Sequence, residues 1–348
     1  MLLKTCCKAI AFLPKYIGWV LLTSILVVAC HGGSPQNLSV ETERSPSADC
    51  RVVEHSVGKT TVCGKPQKVV ALEPKLLSMM LALDVQPAAY ADAYLVRSRQ
   101  FDNPIQQIPY LGNFVTSQPI NLGDRSQPSL ETLTLLKPDL ILGLNSQEHQ
   151  LLSAIAPTVL IDNEQNWQEN IKIVAKALDN QAKVPSIVTS HQQKLAQART
   201  QLAQLVSTHP RVLNIACSLS MNYIEVTSQG DTIELLQKIG FQPVLLTDEE
   251  RKLELRPQIN LETLSQLDAD IIIVSTWLEH WNGKSTYSVP LEELKQIWAK
   301  NPLLHKSRAW KEGRVYFVDY TLWGGVVGPP IANYLILEQL PLLLKSDT

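Results

Sequence analysis

Pro128-Ser129-Leu130-Glu131-Thr132-Leu133 runs on through Leu136-Lys137-Pro138-Asp139 into the apolar run Leu140-Ile141-Leu142. The first part reads as a short helix with its leucines turned inward, the last as a buried strand. The same phrase returns 131 residues later. Leu130-Glu131-Thr132-Leu133 recurs as Leu261-Glu262-Thr263-Leu264, Leu136 as Leu267, Asp139 as Asp270 and Ile141 as Ile272. One unit written twice in a chain of this length points to two similar lobes related by a pseudo-two-fold.

Outward from these two copies, short apolar runs alternate with longer amphipathic ones. Strands are expected at Lys68–Leu72, Ala88–Ala91, Leu140–Gly143 and Thr158–Ile161 in the first half. In the second half they are expected at Val212–Ala216, Pro243–Leu246, Ile271–Ser275 and Val315–Val318. Helices fall between them, at Lys75–Leu83, Trp167–Leu178, Ile233–Ile239, Leu261–Leu267, Leu291–Trp298 and Ile331–Leu340. Such alternation implies parallel sheets covered on both faces. Between the halves, Pro185 suits a first helical turn, and Ser186 to Val206 runs without Gly or Pro until His209-Pro210 stops it. Its apolar positions (Ile187, Leu195, Ala198, Leu202 and Leu205) leave most of the circumference polar, as in a strut between lobes. The expected fold is α/β, with two Rossmann-like lobes of mainly parallel strands bridged by one long rigid helix.

The N-terminus reads as a leader. Lys4, Lys8 and Lys15 precede the apolar run Ile17–Ala29, which suits a signal-peptide core better than a membrane span. It ends Val27-Val28-Ala29-Cys30, similar to the bacterial lipobox, in which the cysteine is lipidated and becomes the new N-terminus. A plain secretory leader, or an uncleaved anchor, is the blander alternative. His31 to Ala48 is rich in Gly, Ser, Pro, Asn and Glu and reads as a flexible tether. The expected divisions are therefore 1–29 signal peptide, 30–48 tether, 49–183 first lobe, 184–208 linker helix and 209–348 second lobe.

Of six cysteines, Cys6 and Cys7 leave with the leader and Cys30 takes the lipid. Cys50 and Cys63 bracket two short strands around a turn at Gly58, so a disulfide there suits an oxidising compartment. Cys217, inside an apolar run, reads as a packing thiol.

Apolar residues make up 45% of the chain and charged residues 18%, with a formal net charge of −2. That composition suits a globular chain able to bury real cores, and it lacks the basic stripe of a nucleic-acid binder. No His-Glu-x-x-His, Gly-x-Ser-x-Gly, Walker or Gly-x-Gly-x-x-Gly motif occurs, so no enzyme is expected. Glu148-His149 and Glu279-His280 are adjacent pairs whose side chains diverge, and no protein metal site or cofactor is expected.

Together with Val69-Val70-Ala71-Leu72, Tyr110-Leu111-Gly112, Ile155-Ala156-Pro157-Thr158, Asn301-Pro302-Leu303 and Gly313-Arg314-Val315-Tyr316, the two copies resemble the siderophore, cobalamin and haem binding-protein superfamily. The resemblance runs from about residue 50 to the end and is nearest to the iron-siderophore binders. It implies a class III solute-binding architecture, a ligand held between the lobes and little hinge motion. It also implies that Glu131 and Glu262, one per lobe, dock to arginines of a dimeric ABC permease. The bland reading of both glutamates is a favourable charge in a first helical turn.

Ligands of open parallel sheets bind beyond the carboxyl ends of the strands. The loops expected there carry Lys75, Tyr94, Arg97, Arg99, Tyr223, Trp277, Trp281 and Trp323, the candidate ligand-binding residues. Tryptophans can pack the arms of a ferric siderophore while guanidinium groups donate to its oxygens. The expectation is a monomeric, lipid-anchored periplasmic binding protein that hands a ferric siderophore to an ABC importer. Haem stays open as cargo through one axial ligand (Tyr94, His149 or His280), as does cobalamin. A non-transporting envelope sensor that kept the fold is the remaining alternative.

Overall fold

Asp139 and Asp270 make the same lock in two separate sheets. Asp139 Oδ2 accepts the backbone N–H groups of Gln67 and Lys68, both at 2.8 Å. Asp270 Oδ2 accepts that of Arg211, also at 2.8 Å. Each carboxylate thereby ties the entry of its own strand to the entry of the strand beside it. The helices before them match too. Ser129 caps the first by accepting from Thr132 N–H, and Asn260 caps the second by accepting from Thr263 N–H. Leu133 and Leu264 are the buried leucines at their centres. The internal repeat is thus a repeat of structure.

This computed structural model describes residues 49–92, 108–144, 148–163, 165–246, 257–276 and 291–345. The leader, Cys30 and the tether to residue 48 lie outside them. The first sheet contains β3 (Val69–Ala71), β4 (Ala89–Asp92), β5 (Ile120–Asp124), β6 (Leu140–Gly143) and β7 (Thr158–Leu160). Its order is β5-β4-β3-β6-β7, and every pairing is parallel. An antiparallel hairpin, β1 (Cys50–His55) and β2 (Gly58–Cys63), precedes it and is closed by a Cys50–Cys63 disulfide. Ser56 N–H and Thr60 Oγ1 donate to Leu160 and Thr158 carbonyls, so the hairpin covers the β7 edge.

The second sheet is built on β8 (Arg211–Cys217), β9 (Ile224–Val226), β10 (Gln242–Pro243), β11 (Gln258–Ile259), β12 (Ile271–Thr276) and β13 (Val315–Asp319). It is mainly parallel, but β9 runs antiparallel to both β8 and β11. The expected strand at Pro243–Leu246 pairs only over Gln242–Pro243.

A helix of 25 residues, Val184–Thr208, runs from the first sheet's side to the second's, roughly 37 Å at 1.5 Å per residue. Only Val184, Leu195, Ala198 and Leu202 are buried on it, as its polar circumference led us to expect. Among the described residues no helix is long and apolar enough to cross a membrane.

The lobes share one hydrophobic core. The helices around it are, in chain order, α1 (Pro74–Ala82), α2 (Leu130–Leu136), α3 (His149–Ser153), α4 (Trp167–Ala177), α5 (Val184–Thr208) and α6 (Asp231–Ile239). The core takes in Leu76, Leu77 and Met80 of α1, Ile171 and Val174 of α4, Leu235 and Leu236 of α6, and Ile336 and Leu340 of the C-terminal helix Ile331–Leu343. At its centre Ser78 is fully buried. The Ser78 hydroxyl donates to Gly328 O at 3.0 Å and accepts from Ile331 N–H at 3.2 Å, joining the first lobe to the second. Ser78→Ala removes both bonds and leaves the buried Ile331 N–H unpaired, whereas Gly328 O keeps its bond from Ala332 N–H. It should cost about 1–3 kcal/mol and loosen the seam between the lobes. Chemical denaturation and small-angle scattering check this. An unchanged denaturation midpoint would refute the seam.

Candidate functional site

Between the two sheets lies a cavity of about 740 Å3. The first lobe supplies Lys75, in the first turn of α1 after β3, and Asn163, Gln165 and Asn166, which follow β7. The second lobe supplies the turn Thr227–Gly230, the residues Asp231–Glu234 and Gln237 of α6, and the turn Trp323-Gly324-Gly325 after β13. Carboxamides, hydroxyls and two carboxylates dominate this wall. Glu234 is held by Lys238 one helical turn on.

Lys75 bridges the lobes. Its Nζ donates to Asn163 Oδ1 at 3.0 Å and pairs with Asp231 Oδ2 at 3.4 Å, with both side chains about three-quarters buried. Gly328 closes over its stem. A Cβ at Gly328 would stand 2.4 Å from Lys75 Cγ, and the φ of +66° there favours glycine in any case. The ammonium expected to reach for a ligand is therefore already engaged by the opposite lobe. Trp323 lines the same cavity, but its side chain is 2% exposed and belongs to the shared core. Its carbonyl accepts from Thr232 Oγ1 at 2.8 Å, which fixes the short helix Tyr320–Trp323 to α6.

Tyr223 is half-buried in the turn after β8, where its backbone bonds Ser218 in both directions, and it does not line the cavity. Tyr94, Arg97, Arg99, Trp277 and Trp281 lie outside the described residues. Glu131 and Glu262 are both exposed in their helix first turns and are not among the cavity's lining residues.

Two residues at the same strand ends were not singled out from the sequence. Glu73, just after β3, accepts from Arg125 Nη1 at 2.8 Å, and Arg125 follows β5. Arg125 N–H also donates to the carbonyl of Asp92, which ends the intervening β4. The Arg125 side chain is 44% exposed and the Glu73 side chain only 13%. Arg125 thus offers a guanidinium at the carboxyl edge of the first sheet. Recognising Ile120–Asp124 as a strand is the signal that finds it. Burial pushes the Glu73 carboxyl above its ordinary range, against the pull of Arg125 and Lys75.

Tyr110 makes a further tie across the lobes through a hydrogen bond to Asp319. Burial, and then that carboxylate, push its phenol upward. Asp319 also caps the helix at Tyr320–Trp323 by accepting from Thr321 N–H at 2.7 Å. His149 packs against His55, ring centres 5.6 Å apart, and its Nε2 lies 3.2 Å from Ser153 Oγ. Among the described residues no group of three or more His, Cys, Asp or Glu side chains is placed to hold a metal ion.

A carboxyl with a raised pKa makes the folded state bind its proton more tightly than the unfolded chain does. Its contribution is favourable in acid and is lost as pH rises from the ordinary carboxylate range through the folded value. Glu73→Gln should therefore match or exceed the wild-type melting temperature at neutral pH, with the difference shrinking towards pH 4. Thermal scans across that range test this. A variant that is least stable, relative to wild type, at neutral pH would show that the Arg125 pair outweighs burial.

The family model described as periplasmic binding protein matches residues 69–321. The chain is 28% identical over 316 residues to the Fe(3+)-citrate-binding protein YfmC of Bacillus subtilis, covering 87% of this chain and 90% of that one. It is 25% identical over 279 residues to the ferric-anguibactin-binding protein FatB of Vibrio anguillarum, covering 78% and 80%. Among solved structures, Staphylococcus aureus SirA complexed with staphyloferrin B superposes with a TM-score of 0.66 at 21% identity, covering 84% of this chain and 98% of that one. At that identity the superposition speaks for the fold. The family and these relatives are binding proteins, not enzymes.

Proposed function

Because the chain belongs to the periplasmic binding protein family, we propose that it captures a ferric siderophore between its lobes and delivers it to an ABC importer. The observation that carries this reading is the interlobe cavity of about 740 Å3, with wall residues drawn from both sheets. Relatives named for ferric citrate and ferric anguibactin support an iron chelate as the cargo class. Iron arrives here wrapped in its chelator, so no ligand to iron is required of the protein.

In this reading Arg97, Arg99 and Arg125 donate to anionic chelator oxygens, while Tyr94, Trp277 and Trp281 pack its arms. Lys75 holds the cavity wall instead of the cargo. Cys30 carries the lipid, the stretch to residue 48 is a tether, and 49–183, 184–208 and 209–348 are lobe, linker and lobe. The protein works as a monomer at the extracytoplasmic face of the membrane.

Titration with ferric hydroxamates, ferric citrate, ferric catecholates, haem and cyanocobalamin tests the cargo class. One ferric siderophore should bind one-to-one and quench tryptophan fluorescence, with a micromolar to nanomolar dissociation constant, roughly −8 to −12 kcal/mol. Arg125→Ala should weaken it about tenfold or more. Saturable binding of haem or cobalamin alone moves the cargo to that ligand, and binding of none of the panel ends the transport reading.

Delivery rests on Glu131 and Glu262, the repeated exposed glutamates. Each faces a permease arginine in this reading, a contact that sets orientation more than affinity. Reversing both to Arg should abolish siderophore-dependent iron uptake while cargo affinity and melting temperature stay at wild-type values. Each single reversal should give a partial defect. Uptake that survives the double reversal leaves these residues as helix-start charges.

A further inference from the structure

The His55–His149 pair stands apart from the interlobe cavity, whose lining includes neither residue. His55 ends β1, on the hairpin that covers the β7 edge. His149 begins the short helix His149–Ser153. The hydrogen bonds fix which nitrogen of His55 carries the proton. Thr60 Oγ1 donates its proton to Thr158 O at 2.7 Å. Its 2.9 Å contact with His55 Nε2 must then be an N–H donated to the hydroxyl oxygen. Nδ1 is left as a bare lone pair, and it is buried with no hydrogen-bond partner. Such an atom calls for an explanation.

His149 Nε2 lies 3.2 Å from Ser153 Oγ. The tautomer in which Nε2–H donates to that hydroxyl leaves its Nδ1 as the free lone pair. Each imidazole then has its outer nitrogen held by a hydroxyl, the way metal-bound histidines are oriented by a second layer of partners. Spacing agrees with this. Metal–nitrogen bonds of about 2.0–2.1 Å at a tetrahedral angle set two ring centres roughly 5 Å apart. The observed separation is 5.6 Å, with the rings tilted by 48°.

We propose that His55 and His149 form a two-histidine site, through Nδ1 of each, for a borderline divalent ion such as Zn2+, Ni2+ or Cu2+. Imidazole pairs suit these ions, whereas the hard ferric ion of the cargo prefers oxygen. With two imidazoles as its protein ligands the proposed site leaves the other positions to water, and an ion held this way exchanges readily. A bound ion ties the N-terminal hairpin to the helix after β6 and stabilises that edge of the first lobe.

The test is calorimetric titration of the purified protein with ZnCl2, NiCl2 and CuCl2 in turn, each followed by a melting curve. At least one ion should bind one-to-one and raise the melting temperature. His149→Ala and His55→Gln should each weaken that binding tenfold or more, without altering the affinity for the ferric cargo. His209→Ala, on a histidine far from the pair in sequence, is the control and should change nothing. Because His149 starts a short surface helix, its variant should melt as wild type does without metal, which keeps the comparison readable if His55→Gln misfolds. The proposal is overturned if none of the three ions saturates, or if His149→Ala binds within twofold of wild type, which would place the ion elsewhere.

Discussion

The lobes are held to one another by a continuous core tied across by the buried Ser78 hydroxyl, and the cavity lies beside that junction. Ser78 reaches from α1 to the start of the C-terminal helix, satisfying the N–H of its first residue and adding a second bond to Gly328 O, which also accepts from Ala332 N–H. Around it, side chains from α1, α4, α6, the linker helix and the C-terminal helix pack without an intervening layer of water-facing polar groups. Separating the lobes would expose that apolar surface and break the Ser78 bonds together. Lys75–Asp231 and Tyr110–Asp319 then act as outriggers to a joint that is already closed.

Much of this frame is written in local pattern. The linker helix declares itself by length and by the absence of Gly and Pro. The repeated leucines and aspartates declare two lobes because each copy must bury the same leucine and make the same strand-entry lock. What local pattern does not record is contact between distant segments. β9 has only three residues and turns back on β8, so its antiparallel course cannot be read from periodicity. β5 ends in Gly123-Asp124, residues that resemble a loop, and with the strand unread Arg125 went unnoticed.

The candidate site shows the same limit more sharply. Residues 320–325 read as a loop at the cleft, with Trp323 free to grip a ligand. They instead stitch α6 to the second sheet, because Thr232 and Asp319 bind that segment and the shared core takes in the indole. Lys75 is the parallel case, since a lysine after a strand looks available until Asp231, Asn163 and Gly328 are seen around it. Chemical type at a strand end was legible. Whether the group was already spoken for was not.

A fixed junction has a consequence for how such a protein reports its load. In a two-lobe binder that hinges, closure itself distinguishes full from empty. Here closure would have to strain a packed core, and packed cores resist continuous deformation. Affinity then comes from a cavity formed in advance, which spares the entropy of ordering its walls on binding. The difference between loaded and empty protein must lie in the cargo and in the loops that touch it. Glu131 and Glu262 sit on helices that lead into strands tied within their own sheets by Asp139 and Asp270, so with a fixed junction their separation would be the same in both states. A partner that reads those two charges can recognise the protein without learning whether it is full. It must therefore discriminate at the cavity mouth, and the rigid spacing of the glutamates is what would place that mouth over it.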